Sequence, residues 1–216
     1  MGTKSGDDAL NALATHRLVP VIALDSAEQA DPLAAALVAG GLPVAEVTFR
    51  TAAAAESIRI MSERGDVLVG AGTVITPQQV DTAVDAGAQF VVSPGLSASV
   101  VERCRERGIP VLPGAVTATE VQAALELGIE TVKFFPAGTS GGARAIAALS
   151  APFGSVRFVP TGGIGVADLG DYLDIPQVIA VGGSWMVPAD AIRGGQWDRI
   201  STLSADAVAA AHRARP

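Results

Sequence analysis

Lysine is almost absent from this 216-residue chain: of fifteen cationic side chains only Lys4 and Lys133 are lysines, and the rest are arginines. Cysteine is scarcer still. Cys104 stands alone, which excludes an internal disulfide and fits a reducing compartment. The two histidines, His16 and His212, lie near opposite ends. With a single cysteine they make no His/Cys metal centre, so neither a metal nor another cofactor is expected, and only a carboxylate-held magnesium site stays open to sequence. Aromatics are 4% of the chain, while 49% of residues are hydrophobic. The core is therefore built from Ala, Val, Leu and Ile, with ample material to bury. Net charge is −7 and no basic run exists; RCRERG at 103–108 alternates signs. Nucleic acid and anionic membranes are not expected partners. No apolar run reaches the length of a membrane span, and MGTKSGDD lacks the apolar segment of a signal peptide. The expectation is a cytoplasmic protein forming one domain over residues 1–216.

What is present is a repeating alternation. Short apolar runs occur at 18–24, 44–49, 67–71, 89–93, 109–113, 130–135, 156–160 and 177–182, eight in all. Helix-period segments lie between them. Thr76-Pro77-Gln78-Gln79 and Thr117 with Glu120 read as capping boxes, and Gly40, Gly65, Gly87, Gly108 and Gly128 mark helix ends. Alternating strands and helices predict a parallel sheet with helices outside. Eight units in this length predict a (β/α)8 TIM barrel, against a doubly wound open sheet with the same alternation. DDALNALATH (7–16) falls outside the repeat and is expected to form an extra helix.

An internal repeat singles out Lys133. TPQQVDTAVDAGAQFVVSPG (76–95) aligns without gaps to TATEVQAALELGIETVKFFP (117–136). Thr76 meets Thr117, Gln79 meets Glu120, Gly87 meets Gly128, and Lys133 takes the slot of Val92. An amine in an apolar pocket is disfavoured as ammonium, and the neutral amine forms Schiff bases with ketones. Arginine cannot do this, because its guanidinium stays charged. The residues alone leave two readings open: a Schiff-base nucleophile, or a lysine that snorkels from a strand end or pairs with a buried carboxylate.

In a barrel the C-terminal strand ends face the active site. Here they read EVTFRT, GAGT, SPG, PGAVT, KFFPAG, PTGGIG and VGGSW. Glu46 and Thr48 share one strand face. Glu46 suits a general acid/base, or a structural partner for Arg50 or Lys133. Arg50 suits a substrate carboxylate, gripped by two hydrogen bonds, and Thr73 can add a hydroxyl to it. Gly162-Gly163 and Gly182-Gly183-Ser184 suit a phosphate approached by backbone N–H groups; tight turns would also explain these glycines.

EVTFRT, GAGTV, SPGL, KFFPAG, PTGGI and GGSW, in this order and spacing, resemble the 2-keto-3-deoxy-6-phosphogluconate (KDPG) aldolase family. That family includes 4-hydroxy-2-oxoglutarate (KHG) aldolase activity and the phosphogalactonate variant. The likeness runs from about residue 17 to 200. It implies a metal-free class I aldolase on a (β/α)8 barrel, a homotrimer, acting on pyruvate and a 2-keto-3-deoxy sugar acid phosphate. It also implies that Lys133 is the Schiff-base lysine, Glu46 the proton carrier, and Arg50 and Thr73 the carboxylate holders. Pro94, Phe135 and Thr161 would line the reaction centre, and Gly162, Gly163, Gly183 and Ser184 the phosphate end. The chain departs from the usual pattern at Gly138, where many members have an acid, at Phe49, and in PGAVTATE. Outside aldolase chemistry, a non-covalent phosphosugar isomerase or a binding barrel is the rival reading.

Overall fold

A computed structural model describes residues 6–215, so Lys4 lies outside it. Eight parallel strands alternate with helices: β1 Leu18–Ile22, β2 Val44–Thr48, β3 Leu68–Gly72, β4 Phe90–Val92, β5 Val111–Leu112, β6 Thr131–Phe134, β7 Arg157–Pro160 and β8 Val181–Gly183. Six of them pair in the order β5-β4-β3-β2-β1-β8, and β6 pairs with β7. Single bridges close the ring, Gly114 with Lys133 on one side, Phe158 with Val178 and Thr161 with Gly182 on the other. This is the (β/α)8 barrel that the alternation predicts.

The outer layer is α2 Ala30–Ala39, α3 Ala54–Arg64, α4 Pro77–Asp85, α5 Ala98–Glu106, α6 Ala118–Glu126, α7 Gly142–Ser150, α8 Leu169–Leu173 and α10 Trp197–Ala214. The extra N-terminal helix exists as α1 Gly6–His16, and a short α9 Ala189–Arg193 precedes α10. Both expected capping boxes form: Thr76 accepts from the Gln79 N–H and Thr117 from the Glu120 N–H. Gly65, Gly87, Gly108 and Gly128 all take positive φ after their helices. Gly40 does not; Gly41 takes the left-handed turn at φ 73°. Gly40 is small for packing instead, because a Cβ there would lie 2.6 Å from the Ser201 carbonyl oxygen and the Ser204 Cβ. α10 thus closes tightly on α2.

The eighth strand begins later than the apolar run suggests. Across the barrel wall Gln177–Ile179 bonds to Phe158 of β7: the Phe158 N–H donates to the Gln177 carbonyl, and the Ile179 N–H donates to the Phe158 carbonyl. Regular pairing with β1 starts at Val181. Apolarity marks burial, and Val178 to Val181 are all buried or nearly so, but it does not mark where the ladder begins. The scarce aromatics are spent in the core: Phe90, Phe134 and Phe158 are fully buried, and the last two meet edge to face at 6.5 Å.

Candidate active site

Strand register decides which side chains meet. Glu46 lies opposite Val21 on β1 and Gly70 on β3. Lys133 lies opposite Val159 on β7. Its own N–H donates to the Pro113 carbonyl, and its carbonyl accepts from Ala115, both at 2.9 Å. Both the N–H and the carbonyl of the lysine are therefore pinned to the segment after β5, while β7 pairs with β6 on the other side. Residues two apart on a strand share a face, so Lys133 and Thr131 point inward while Val132 and Phe134 face the helices.

Inside the barrel Lys133 Nζ donates to Glu46 Oε1 at 3.1 Å. The two residues are only 6% and 2% exposed. A buried pair of this kind is held where each charge compensates the other. The amine also sits 5.2 Å from the centre of the Phe135 ring. Room for the carboxylate comes from Gly72: a Cβ there would lie 2.4 Å from Glu46 Oε1. Of the two bland alternatives for Lys133, snorkelling to solvent does not occur, whereas pairing with a buried carboxylate does, through Glu46.

Arg50 follows β2, and its side chain is steered rather than neutralised. Arg50 Nε donates to Thr48 Oγ1 at 3.2 Å, and that hydroxyl donates to the Ile22 carbonyl at 2.8 Å. Among the described residues Arg50 has no carboxylate partner. Thr73 takes φ 58°, an uncommon conformation for a β-branched residue. Thr161 carries a buried hydroxyl with no partner among the described residues. A buried polar orphan on a cavity wall is a place for a ligand to bond.

Seven of the expected residues, Lys133, Glu46, Arg50, Thr73, Pro94, Phe135 and Thr161, line one cavity of about 270 Å³. Val21 and Thr48 complete its wall. No role was expected for either. Thr48 was visible as the residue sharing a face with Glu46, whereas Val21 is an ordinary strand valine with no distinguishing signal. Gly162, Gly163, Gly183 and Ser184 do not line this cavity. The Thr161–Gly182 bridge sets their two loops side by side at its edge. Gly162, at φ 95°, lies against Phe135, whose ring would be 3.2 Å from a Cβ there. Gly163 faces a different cavity, next to α7 and α8. Among the described residues, no three His, Cys, Asp or Glu side chains form a metal-holding group, and no helix is long and apolar enough to cross a membrane.

The sequence model for KDPG and KHG aldolase matches residues 10–203. The chain belongs to the KDPG and KHG aldolase family. The 2-dehydro-3-deoxy-phosphogluconate aldolase of Treponema pallidum is 52% identical, over 89% of this chain and 92% of that one. The crystal structure of KDPG aldolase from Legionella pneumophila, with pyruvate captured at low pH as a covalent carbinolamine, matches with TM-score 0.89 and 40% identity. It covers 92% of this chain and 97% of that one. The aldolase of Zymomonas mobilis, solved with 3-phosphoglycerate, matches with TM-score 0.88 and 40% identity, over 95% and 97% of the two chains. Family membership and the barrel agree, since these KDPG aldolases superimpose over nearly the whole of the present fold.

Proposed function

We propose that this chain is a class I aldolase that cleaves 2-dehydro-3-deoxy-6-phosphogluconate to pyruvate and glyceraldehyde 3-phosphate. The observation that carries the reading is the buried Lys133–Glu46 contact at 3.1 Å on the wall of a cavity that Arg50 also lines. Proton transfer from Lys133 to Glu46 frees an amine lone pair, which attacks the C2 ketone. Protonated Glu46 gives its proton to the carbinolamine hydroxyl, which leaves as water, so that an iminium ion forms and Glu46 is again a carboxylate. Glu46 then accepts the proton of the C4 hydroxyl. The C3–C4 bond breaks, its electron pair passes to the iminium nitrogen, and the aldehyde leaves. The remaining enamine is protonated at C3 and hydrolysed, which releases pyruvate and restores Lys133. Arg50 and Thr73 hold the carboxylate next to C2, and Pro94, Phe135 and Thr161 shape the reaction centre. The glycine loops carrying Gly162, Gly163, Gly183 and Ser184 receive the phosphate. A homotrimer and a cytoplasmic setting complete the proposal.

Every bond change lies between C2 and C4, so 4-hydroxy-2-oxoglutarate would meet the same groups and give glyoxylate. The ratio of kcat/KM for the two substrates ranks them, and the phosphate loops favour the phosphorylated one.

The test is borohydride reduction in the presence of pyruvate, read by peptide mass spectrometry. A reduced pyruvyl adduct on Lys133 is the expected product. Lys133→Arg keeps the charge and should lose both adduct and turnover. Glu46→Gln should still form the adduct but turn over about 10²–10⁴-fold more slowly. An unmodified, folded wild-type protein would sink the proposal and leave Lys133 as a paired core charge.

A further inference from the structure

A second cavity, of about 460 Å³, lies between the first turn of α7 and the face of α8. It is separated from the reaction cavity by the Gly162–Gly163 segment, of which only Gly163 lines it. Tyr172 on α8 is 5% exposed and also lines it. Its hydroxyl makes no hydrogen bond among the described residues, and it points at the start of α7, 3.4 Å from where a Gly142 Cβ would be. The ring is buried, but the hydroxyl oxygen opens onto the cavity, where it can donate to a ligand. Across from it stands Arg144, exposed and without an ion pair among the described residues. Among the described residues the Ala143 and Arg144 N–H groups make no backbone bond to the turn before α7, whereas Gly142 donates to the Ala137 carbonyl and Ala145 to the Gly141 carbonyl. Free N–H groups at a helix start, a guanidinium and an unpaired hydroxyl together favour an anion. The third wall is acidic. Asp168 Oδ2 accepts from the Gly165 N–H, and Asp171 also faces the cavity. Burial first, and then these two carboxylates, push the Tyr172 phenol up from its ordinary range, so it stays a donor.

The geometry points to a second ligand site for a small polyol phosphate. Its phosphate bonds to Arg144, the Ala143 and Arg144 N–H groups and the Tyr172 hydroxyl, and its hydroxyls donate to Asp168 and Asp171. The acidic wall makes bare phosphate the poorer ligand. Gly138 keeps the cavity open toward the glycine segment: its N–H donates to the Gly162 carbonyl, and a side chain there would start 3.2 Å from the Gly163 carbonyl oxygen.

Tyr172 is the only tyrosine in the chain, so 3-fluorotyrosine gives one ¹⁹F resonance, and it reports on this cavity. The probe is glycerol 3-phosphate, which has no carbonyl to react. A saturable shift is expected, with inorganic phosphate binding more weakly. Arg144→Gln should weaken binding about tenfold or more, and Ser184→Ala should leave it unchanged. No saturable shift would overturn the proposal. So would binding that survives Arg144→Gln or is lost in Ser184→Ala, because the phosphate would then sit at the edge of the reaction cavity. The readout needs no turnover, so it stands or falls separately from the aldolase reading.

Discussion

Thr73 pays a conformational penalty for its place on the cavity wall. At φ 58° its β-branched side chain crowds its own backbone, and such residues cost on the order of 1–3 kcal/mol. Asparagine tolerates that region far better. Thr73→Asn should therefore raise stability by about 1 kcal/mol, seen as a higher urea midpoint with an unchanged slope. If Thr73 holds the pyruvate carboxylate, the same variant should raise KM for pyruvate in the condensation direction. A variant neither stabilised nor impaired would mean that the left-handed turn carries no strain and no contact. Thr48 makes the complementary case. Its hydroxyl both anchors to Ile22 and receives Arg50, so Thr48→Val should weaken carboxylate binding by releasing the guanidinium, with Lys133 still able to form its adduct.

At the scale of elements, the two halves of the internal repeat fold alike because each begins with its own capping box, and that is why they were legible. One difference between the caps is testable. The α4 box closes with neutral Gln79, and the α6 box with Glu120. The Val116 N–H, then Thr117, hold the Glu120 carboxyl below the ordinary range. A depressed folded-state pKa contributes stability above the unfolded pKa, about 4.3, and loses it as pH falls through the folded value. Thr117→Ala should thus cost about 1 kcal/mol near neutrality, and less once Glu120 is protonated. The cost of Thr76→Ala should not vary in that way. Equal pH dependence in denaturation curves of the two variants would contradict this account. Other elements were legible only in part. β8 was read early because a buried apolar run looks the same whether or not it is laddered. Gly40 does cap α2, but its second role was hidden, because nothing local announces that α10, some 160 residues later in the chain, will press on it. Lys133 and Glu46 were readable because an ionisable group inside an apolar strand is anomalous by itself, and Arg50 because it stands just past the C-terminal end of a strand, where a barrel places its site. Val21 was not, because a valine on a strand is what any strand would have.

For the whole molecule, the ring is uneven, and its weak seams flank the strands that carry the lysine. β2 and β3 share five registered pairs. β6 and β7 pair well with each other, but they meet the rest of the barrel only through the Gly114–Lys133 bridge on one side and the Phe158–Val178 and Thr161–Gly182 bridges on the other. Local opening follows such differences in ladder density. The Phe158 and Ile179 amides should therefore exchange with deuterium faster than those of Val47 and Ala71, by roughly tenfold or more. Lys133 lies on β6 and Thr161 just after β7, whereas Glu46 lies on β2 and Arg50 just after it, so the proposed substrate spans the seams. A reduced pyruvyl adduct anchored on Lys133 with its carboxylate at Arg50 would tie the two parts together. Exchange at Phe158 and Ile179 should then slow while Val47 stays as it was. If the adduct forms and the seam amides exchange as before, the carboxylate is not bridging to β2, and Arg50 would lose its place in the proposed site without any damage to the role of Lys133.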